Sequence, residues 1–394
     1  SGYIIAGNTQ PIGIFGSYIW LLKTDSSGDT LWTNRWGELP DPHVNTGRCV
    51  QLTSDGGYII SGHLQFLGTN DEDACLIKTD GAGDTEWIKS YGGTGYEIGY
   101  WTQQTSDNGY IVVGYTTSFG SGNEDVYLVK TDASGNILWT KTYGGTGTDS
   151  GYSVQQTSDD GYIIAGFTDS FGAGSYDVYL IKTDAAGDTV WTRTYGGTEF
   201  DKGYSVQQID DGTYIISGTA RSFSAGGDGD IYLLHVDISG NTLWTRTYEE
   251  PNDQRGWSVQ QTSDKSFIVA GYTGTFGNND YYMLRIQGDG TGMEDDHHSV
   301  PVNHGFIRNE PNPFSMQTTI SFSLSQASMV SLSIYNISGQ LVTTLAANEY
   351  YEDCNHSLQW DGRDMNGSPV SNGIYFCRLN AGEFNQVYKM VILR

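Results

Sequence analysis

The chain has 394 residues, 46 acidic against 20 basic, and a formal net charge of −26. That balance excludes nucleic acid as a partner, because phosphate backbones are held by Lys and Arg, and it gives a self-repelling surface suited to meeting cations. Charged residues are only 17% of the chain, and 27 Tyr with 10 Trp exclude a disordered acidic tail.

Glycine is abundant, at 53 residues against 8 Pro. Gly-rich turns between runs of Tyr, Thr, Ile and Val point to many short strands. No apolar run approaches the roughly 20 residues of a membrane span, so the chain is not expected to cross a membrane by helices. It opens at Ser1-Gly2-Tyr3-Ile4-Ile5-Ala6-Gly7, which reads as the middle of a repeat. An export signal is therefore expected upstream of this segment or already removed.

The motif Tyr-Ile-Ile/Val-x-Gly recurs with its aromatic at Tyr3, Tyr58, Tyr110, Tyr162, Tyr214 and Phe267. The central spacing is 52 residues, the first 55 and the last 53. Residues 99–150 and 151–202 share 33 identities in 52 positions. Uniformity of this kind marks one structural solution copied in tandem. The units run 1–46, 47–98, 99–150, 151–202, 203–255 and 256–290.

Within 151–197 four strands are predicted: Tyr152 to Gln156, Tyr162 to Thr168, Asp177 to Thr183 and Thr189 to Tyr195. Turns at Ser158-Asp159-Asp160-Gly161 and Asp184-Ala185-Ala186-Gly187-Asp188 separate them, with Gly187 suited to positive φ. The middle strands are apolar on both faces, so their sheet must be covered on both sides. Four antiparallel strands per unit, stacked face to face, predict a β-propeller of about six blades, with seven the alternative count. The repeated Trp (Trp32, Trp87, Trp139, Trp191, Trp244) is expected to fill the gap between blades. The repeated Gln pair (Gln103-Gln104, Gln155-Gln156, Gln207-Gln208, Gln260-Gln261) is expected to face the axis if the first strand is innermost.

The repeated Asp at the start of the third strand (Asp73, Asp125, Asp177, Asp230, Asp280) has two readings. It caps its own loop by accepting backbone N–H groups, or it contributes to Ca²⁺ sites, since hard cations want clustered carboxylates. Repetition in nearly every blade favours the cap. No GxSxG, HExxH or P-loop stands in a usable context, and no cofactor other than such a Ca²⁺ is expected. Cys49 and Cys75 fall on the first and third strands of one blade, roughly 9–10 Å apart by strand spacing, too far for a bridge.

Residues 291–309 change character and read as a linker; His297, His298 and His304 with Asp295 and Asp296 carry metal-ligating atoms within it. Strands resume at Thr318 to Leu324, Val330 to Tyr335, Leu341 to Leu345, His356 to Trp360, Gly373 to Leu379 and Gln386 to Leu393. That density in 310–394 predicts an immunoglobulin-like β-sandwich.

The segments Glu310-Pro311-Asn312-Pro313-Phe314, Ile334 to Val342 around Gly339, Trp360-Asp361-Gly362-Arg363-Asp364, Gly373-Ile374-Tyr375-Phe376 and Lys389 to Arg394 carry a specific resemblance. Residues 310–394 resemble the type A C-terminal sorting domain of the type IX (Por) secretion system, which is related to the immunoglobulin-like part of the flagellar hook-capping protein. The resemblance implies a bacterium of the Bacteroidota type or a relative, export by the outer-membrane secretion machinery, and a cell-surface or extracellular destination. The repeats resemble those upstream of such domains in large uncharacterised surface proteins. Cys354 and Cys377 are not part of that family pattern; in a small exported domain they suggest a disulfide.

Motifs copied evenly argue against catalysis, which needs asymmetry. The expectation is a non-enzymatic surface or extracellular protein serving adhesion, binding or structure, with self-association or a surface glycan as partner. The alternative is a carbohydrate-binding or carbohydrate-cleaving propeller, recognised by acids and aromatics gathered at one channel mouth.

Overall fold

The computed structural model describes the chain except residues 1, 11–15, 38–44, 66–70, 225–227, 249–251, 275–279, 288–306, 313, 325–326, 353–354, 383 and 394. Contacts divide it into two units, Ser1–Asp296 and His297–Arg394.

The first unit is a β-propeller. Its best-repeated blade is the antiparallel sheet Asp149–Gln156, Tyr162–Thr168, Asp177–Thr183 and Thr189–Tyr195, paired in that order. Three further blades have the same four strands. The first blade is described by its last three strands, from Ile4–Thr9 to Thr30–Trp36, and the sixth by its first three, from Gln254–Gln261 to Asp280–Ile286. First strands of successive sheets touch one another, whereas outer strands do not meet closely. That wedge shape makes the first strand the inner one.

Burial follows the wedge. The second and third strands of the blade above are buried at every position, because a neighbouring sheet covers each face. The outer strand Thr189–Tyr195 is half-exposed along its length. Trp139 meets Tyr162 of the next blade edge-on at 5.9 Å, and Trp87 meets Tyr110 in the same way at 5.7 Å. The repeated Trp therefore fills the gap between outer strands, as expected.

The inner strand begins earlier than expected, at Asp149 rather than Tyr152. The Asp149 carboxylate accepts the Gly145 N–H at 2.8 Å, which ties the strand start to the Gly-Gly turn before it. The unit boundaries at 99, 151 and 203 thus fall inside inner strands. The turn at Asp184 matches its reading: Asp184 Oδ1 accepts the N–H groups of Ala186 and Asp188 at 2.9 and 2.8 Å, and Gly187 has φ 78°.

The Gln pair does more than face the axis. Gln155 Oε1 accepts the Gln208 N–H of the next blade at 2.5 Å, while Gln156 Oε1 accepts the Ser106 N–H of the preceding one at 2.8 Å. The pairs at Gln103, Gln155 and Gln207 each clamp a blade to both neighbours in this way.

The second unit is a β-sandwich. One sheet holds Ile307–Glu310, Thr318–Ser323 and Asn355–Trp360; the other holds Leu341–Tyr351, Ser328–Asn336, Gly373–Ala381 and Phe384–Ile392 in that order. The strand Ile307–Glu310 begins inside the span 291–309 read as linker. Leu341–Tyr351 runs past its expected end at Leu345, and its pairing with Ser328–Asn336 shifts register at three places between Val330 and Tyr335. Phe314, Ile320, Phe322, Leu332, Ile334, Trp360, Leu379 and Met390 form the core.

Candidate functional site at the propeller axis

Each of the five described inner strands carries a β-bulge at one position. Pairing with the second strand skips one residue between Gly47 and Cys49, Gly99 and Trp101, Gly151 and Ser153, Gly203 and Ser205, and Gly256 and Ser258. The skipped residues are Arg48, Tyr100, Tyr152, Tyr204 and Trp257. An unpaired bulge residue leaves the sheet's alternation and is re-aimed. The glycine before it allows close approach: a Cβ on Gly151 would stand 2.5 Å from Val113 of the preceding blade.

These re-aimed side chains meet in sequence. Tyr100 lies 4.7 Å from Tyr152, Tyr152 5.2 Å from Tyr204, and Tyr204 4.2 Å from Trp257, centroid to centroid. Arg48 lies over Tyr100 at 5.5 Å and continues the series. Tyr204 is buried, and burial pushes its phenol up to about 12, whereas Trp257 is 44% exposed. The inner strands thus carry an axial row of aromatic rings that becomes open to solvent at Trp257.

The residue before each bulge glycine adds charge in two blades. Lys202 Nζ lies over the rings of Phe167, Tyr176 and Phe200 at 3.5, 4.5 and 4.6 Å. Burial and the nearby Arg255 push its amine down to about 8, against the pull of Glu124. Arg255 lies over Trp257 and Tyr272 at 5.8 and 5.5 Å. Burial raises the carboxyls of Glu124 and Glu72, opposed by Lys202 and Arg48 respectively.

The expected Asp residues have a different job. Asp125 Oδ2 accepts the N–H groups of Ser121 and Gly122 at 2.8 and 3.1 Å, and Asp177 Oδ2 accepts that of Ala173 at 2.8 Å. They cap the loops before their strands. Asp73 is half-buried, and burial with the nearby Glu97 raises its carboxyl. Asp230 is buried, and the Asp280 side chain lies outside the described residues. Among the described residues, no group of three or more His, Cys, Asp or Glu could hold a metal ion. His297, His298, His304, Asp295 and Asp296 lie outside them.

Cys49 and Cys75 are buried free thiols on strands separated by Tyr58–Gln65, as the strand spacing requires, and burial pushes Cys49 up to about 11. Cys377 is a buried thiol of the sandwich core, raised by burial to about 12. Its expected partner Cys354 lies outside the described residues.

The sequence reading missed the bulge residues. Their signal is a Gly followed by an aromatic or Arg at the same point of each repeat, but the bulge that aims them is a feature of strand pairing.

The sandwich motif residues converge around the last strand. Asn312 Oδ1 accepts the Val391 N–H at 2.9 Å, and its Nδ2 donates to the Lys389 carbonyl at 3.2 Å. Phe314 pairs with the last strand through Val391 and Leu393 and packs on Trp360 at 5.6 Å. Trp360 packs on Tyr375 at 5.4 Å and donates to the Arg363 carbonyl at 2.9 Å. The Pro311 carbonyl accepts the Thr318 hydroxyl at 2.8 Å, and the Asp361 carboxylate accepts the Arg363 N–H at 3.1 Å. Gly339 and Gly362 hold turns at φ 73° and 67°, and Gly373 opens the strand carrying Tyr375. Pro313 lies outside the described residues.

Fold and motifs together define an exported propeller with a separate sandwich. Residues 311–393 match the family described as a secretion system C-terminal sorting domain. That domain implies handling by the secretion machinery and marks the cell surface or the extracellular space as the destination. No helix is long and apolar enough to cross a membrane among the described residues.

The chain is also similar to the regulatory protein FlaEY of Caulobacter vibrioides, at 27% identity over 140 residues, which cover 30% of this chain and 15% of that protein. Among solved structures, a protein of unknown function from Bacteroides caccae aligns with TM-score 0.43 and 10% identity, over 73% of this chain and 91% of that one. PorZ, a surface component of the type IX secretion system of Porphyromonas gingivalis, aligns with TM-score 0.38 and 11% identity, over 100% of this chain and 51% of that one.

Proposed function

We propose that the protein is a non-catalytic binding platform, exported through a type IX system, which presents the propeller's axial end to a ligand outside the cell. One observation carries this reading. The residues copied in every blade are used to build the blade, while the bulge position, Tyr in three blades (Tyr100, Tyr152, Tyr204), changes to Arg48 at one end of the axial row and Trp257 at the other. Variation at a fixed geometric position is how a symmetric scaffold acquires a specific site.

The test is a glycan and surface-protein binding array, with a hydrolase panel run on the same full-length preparation. The expected result is saturable binding without turnover, weakened by W257A. Turnover would overturn the proposal. A second reading, glycoside cleavage, is favoured by Glu72 and Glu124, whose half-buried carboxyls are raised as a general acid's must be. It predicts turnover that is abolished by E124Q.

A further inference from the structure

The axial row carries three cations that the described residues leave without an ion pair. Among the described residues, Arg48, Lys202 and Arg255 make aromatic contacts but no ion pair. Arg221 nearby is instead paired to Asp253 at 3.0 Å, and Lys78, Lys130 and Lys182 are each paired to an Asp at 2.8–2.9 Å. Asp253, already paired to Arg221, stands toward Arg255, and the other acids facing these cations are Glu72 toward Arg48 and Glu124 toward Lys202. Burial disfavours the charged form of both.

In a chain of net charge −26, partly desolvated cations beside aromatic rings run against the prevailing charge. A half-buried Lys held over three rings has lost hydration that an anion would restore. The long-range field of the chain repels free inorganic anions. A ligand must therefore bring ring surface for the aromatics as well as charge for the cations.

We infer that this axial row binds an anionic saccharide, with Lys202 and Arg255 taking its carboxylate or sulfate and Trp257 and Tyr272 taking its ring faces. The inference rests on the binding-platform reading and specifies its ligand. Guanidinium meets carboxylate or sulfate through paired N–H donors, and the amphipathic Trp and Tyr rings cover sugar faces while tolerating water at their rims.

The experiment is calorimetry and Trp fluorescence on the full chain with four probes: an oligogalacturonate, a heparin-derived oligosaccharide, cellohexaose and sodium sulfate. The two charged oligomers separate a carboxylate source from a sulfate source. The expected result is that one of them binds at least about tenfold more tightly than cellohexaose, with sulfate alone weaker still. Its affinity should fall between about 50 and about 300 mM salt, as screened ion contacts do. R255Q should weaken it about tenfold, and K202M likewise, with K202R retaining binding as the control for folding.

Equal binding of the neutral and charged oligomers, or an unchanged affinity in R255Q, would overturn the inference and leave the platform reading standing. The same holds if the chain binds a protein ligand and none of the four probes. Turnover of an oligomer would instead sink the platform reading itself.

Discussion

Lys78, Lys130 and Lys182 are almost wholly buried, yet each reaches the turn Asp of its own blade. Lys130 Nζ stands 2.8 Å from Asp107 Oδ2 and donates to the Thr131 carbonyl at 2.9 Å. Burial pushes the Asp107 carboxyl upward, but hydrogen bonds from Lys130, Thr105 and the Gly109 amide outweigh it and hold it at about 2, against 3.8 unperturbed. A depressed carboxyl stabilises the folded state above the unfolded value and loses that contribution as pH falls through the folded one. Asp107 should therefore add acid sensitivity between about pH 4 and pH 2. D107N should flatten that part of the stability–pH curve, measured by urea denaturation across the range. At neutral pH the same variant should lose about 1 kcal/mol, because Asp107 is half-exposed and solvent screens the pair.

At the scale of one element, the outer strand shows how blades are held. Trp139 packs on Tyr162 and also covers the next blade's turn, where a Cβ on Gly187 would stand 2.8 Å from its ring. The Tyr143 hydroxyl donates to the Gly187 carbonyl at 2.7 Å, so one turn is gripped by two side chains of the preceding strand. W139A should cost about 3 kcal/mol through the cavity between blades. G187A should cost about 2 kcal/mol, since it adds a clash and a strained positive φ. Because the two changes touch the same contact, the double variant should cost less than their sum. Leu138, exposed on the same strand, should tolerate Ser within about 0.5 kcal/mol. Denaturant titration of the four variants checks the series, and additive losses would refute the shared contact.

For the whole molecule, the two units have separate duties. The sorting sandwich closes its own core around Phe314, Trp360 and Tyr375, with Asn312 stapling its first loop to the last strand. In a host with type IX machinery, a chain lacking residues 311–394 should stay cell-associated below the surface, while the full chain reaches the surface or medium. Fractionation and surface proteolysis read this out, with a thermal melt confirming that the truncated propeller is folded. Surface delivery of the folded truncation would place the export address elsewhere.

Repeat period, strand number, the Gly turns and the sandwich motifs were all legible in the sequence. Each depends on neighbours a few residues apart: period-two apolar alternation, Asp–Gly turn chemistry, and a motif order that survives without coordinates. Residues such as Asp177 could be read as loop caps because the groups they bind lie four residues away. The axial site was not legible, because it depends on pairing between strands and contact between blades. Tyr152 looks like any strand residue until the register skips it, and only then do Tyr100, Tyr204, Trp257 and Arg255, from different blades, come within reach of one another. Sequence by itself thus determined the kind of protein and its address. Tertiary structure decided where the variable residues meet, because contact among residues roughly 50 positions apart exists only once the blades stack.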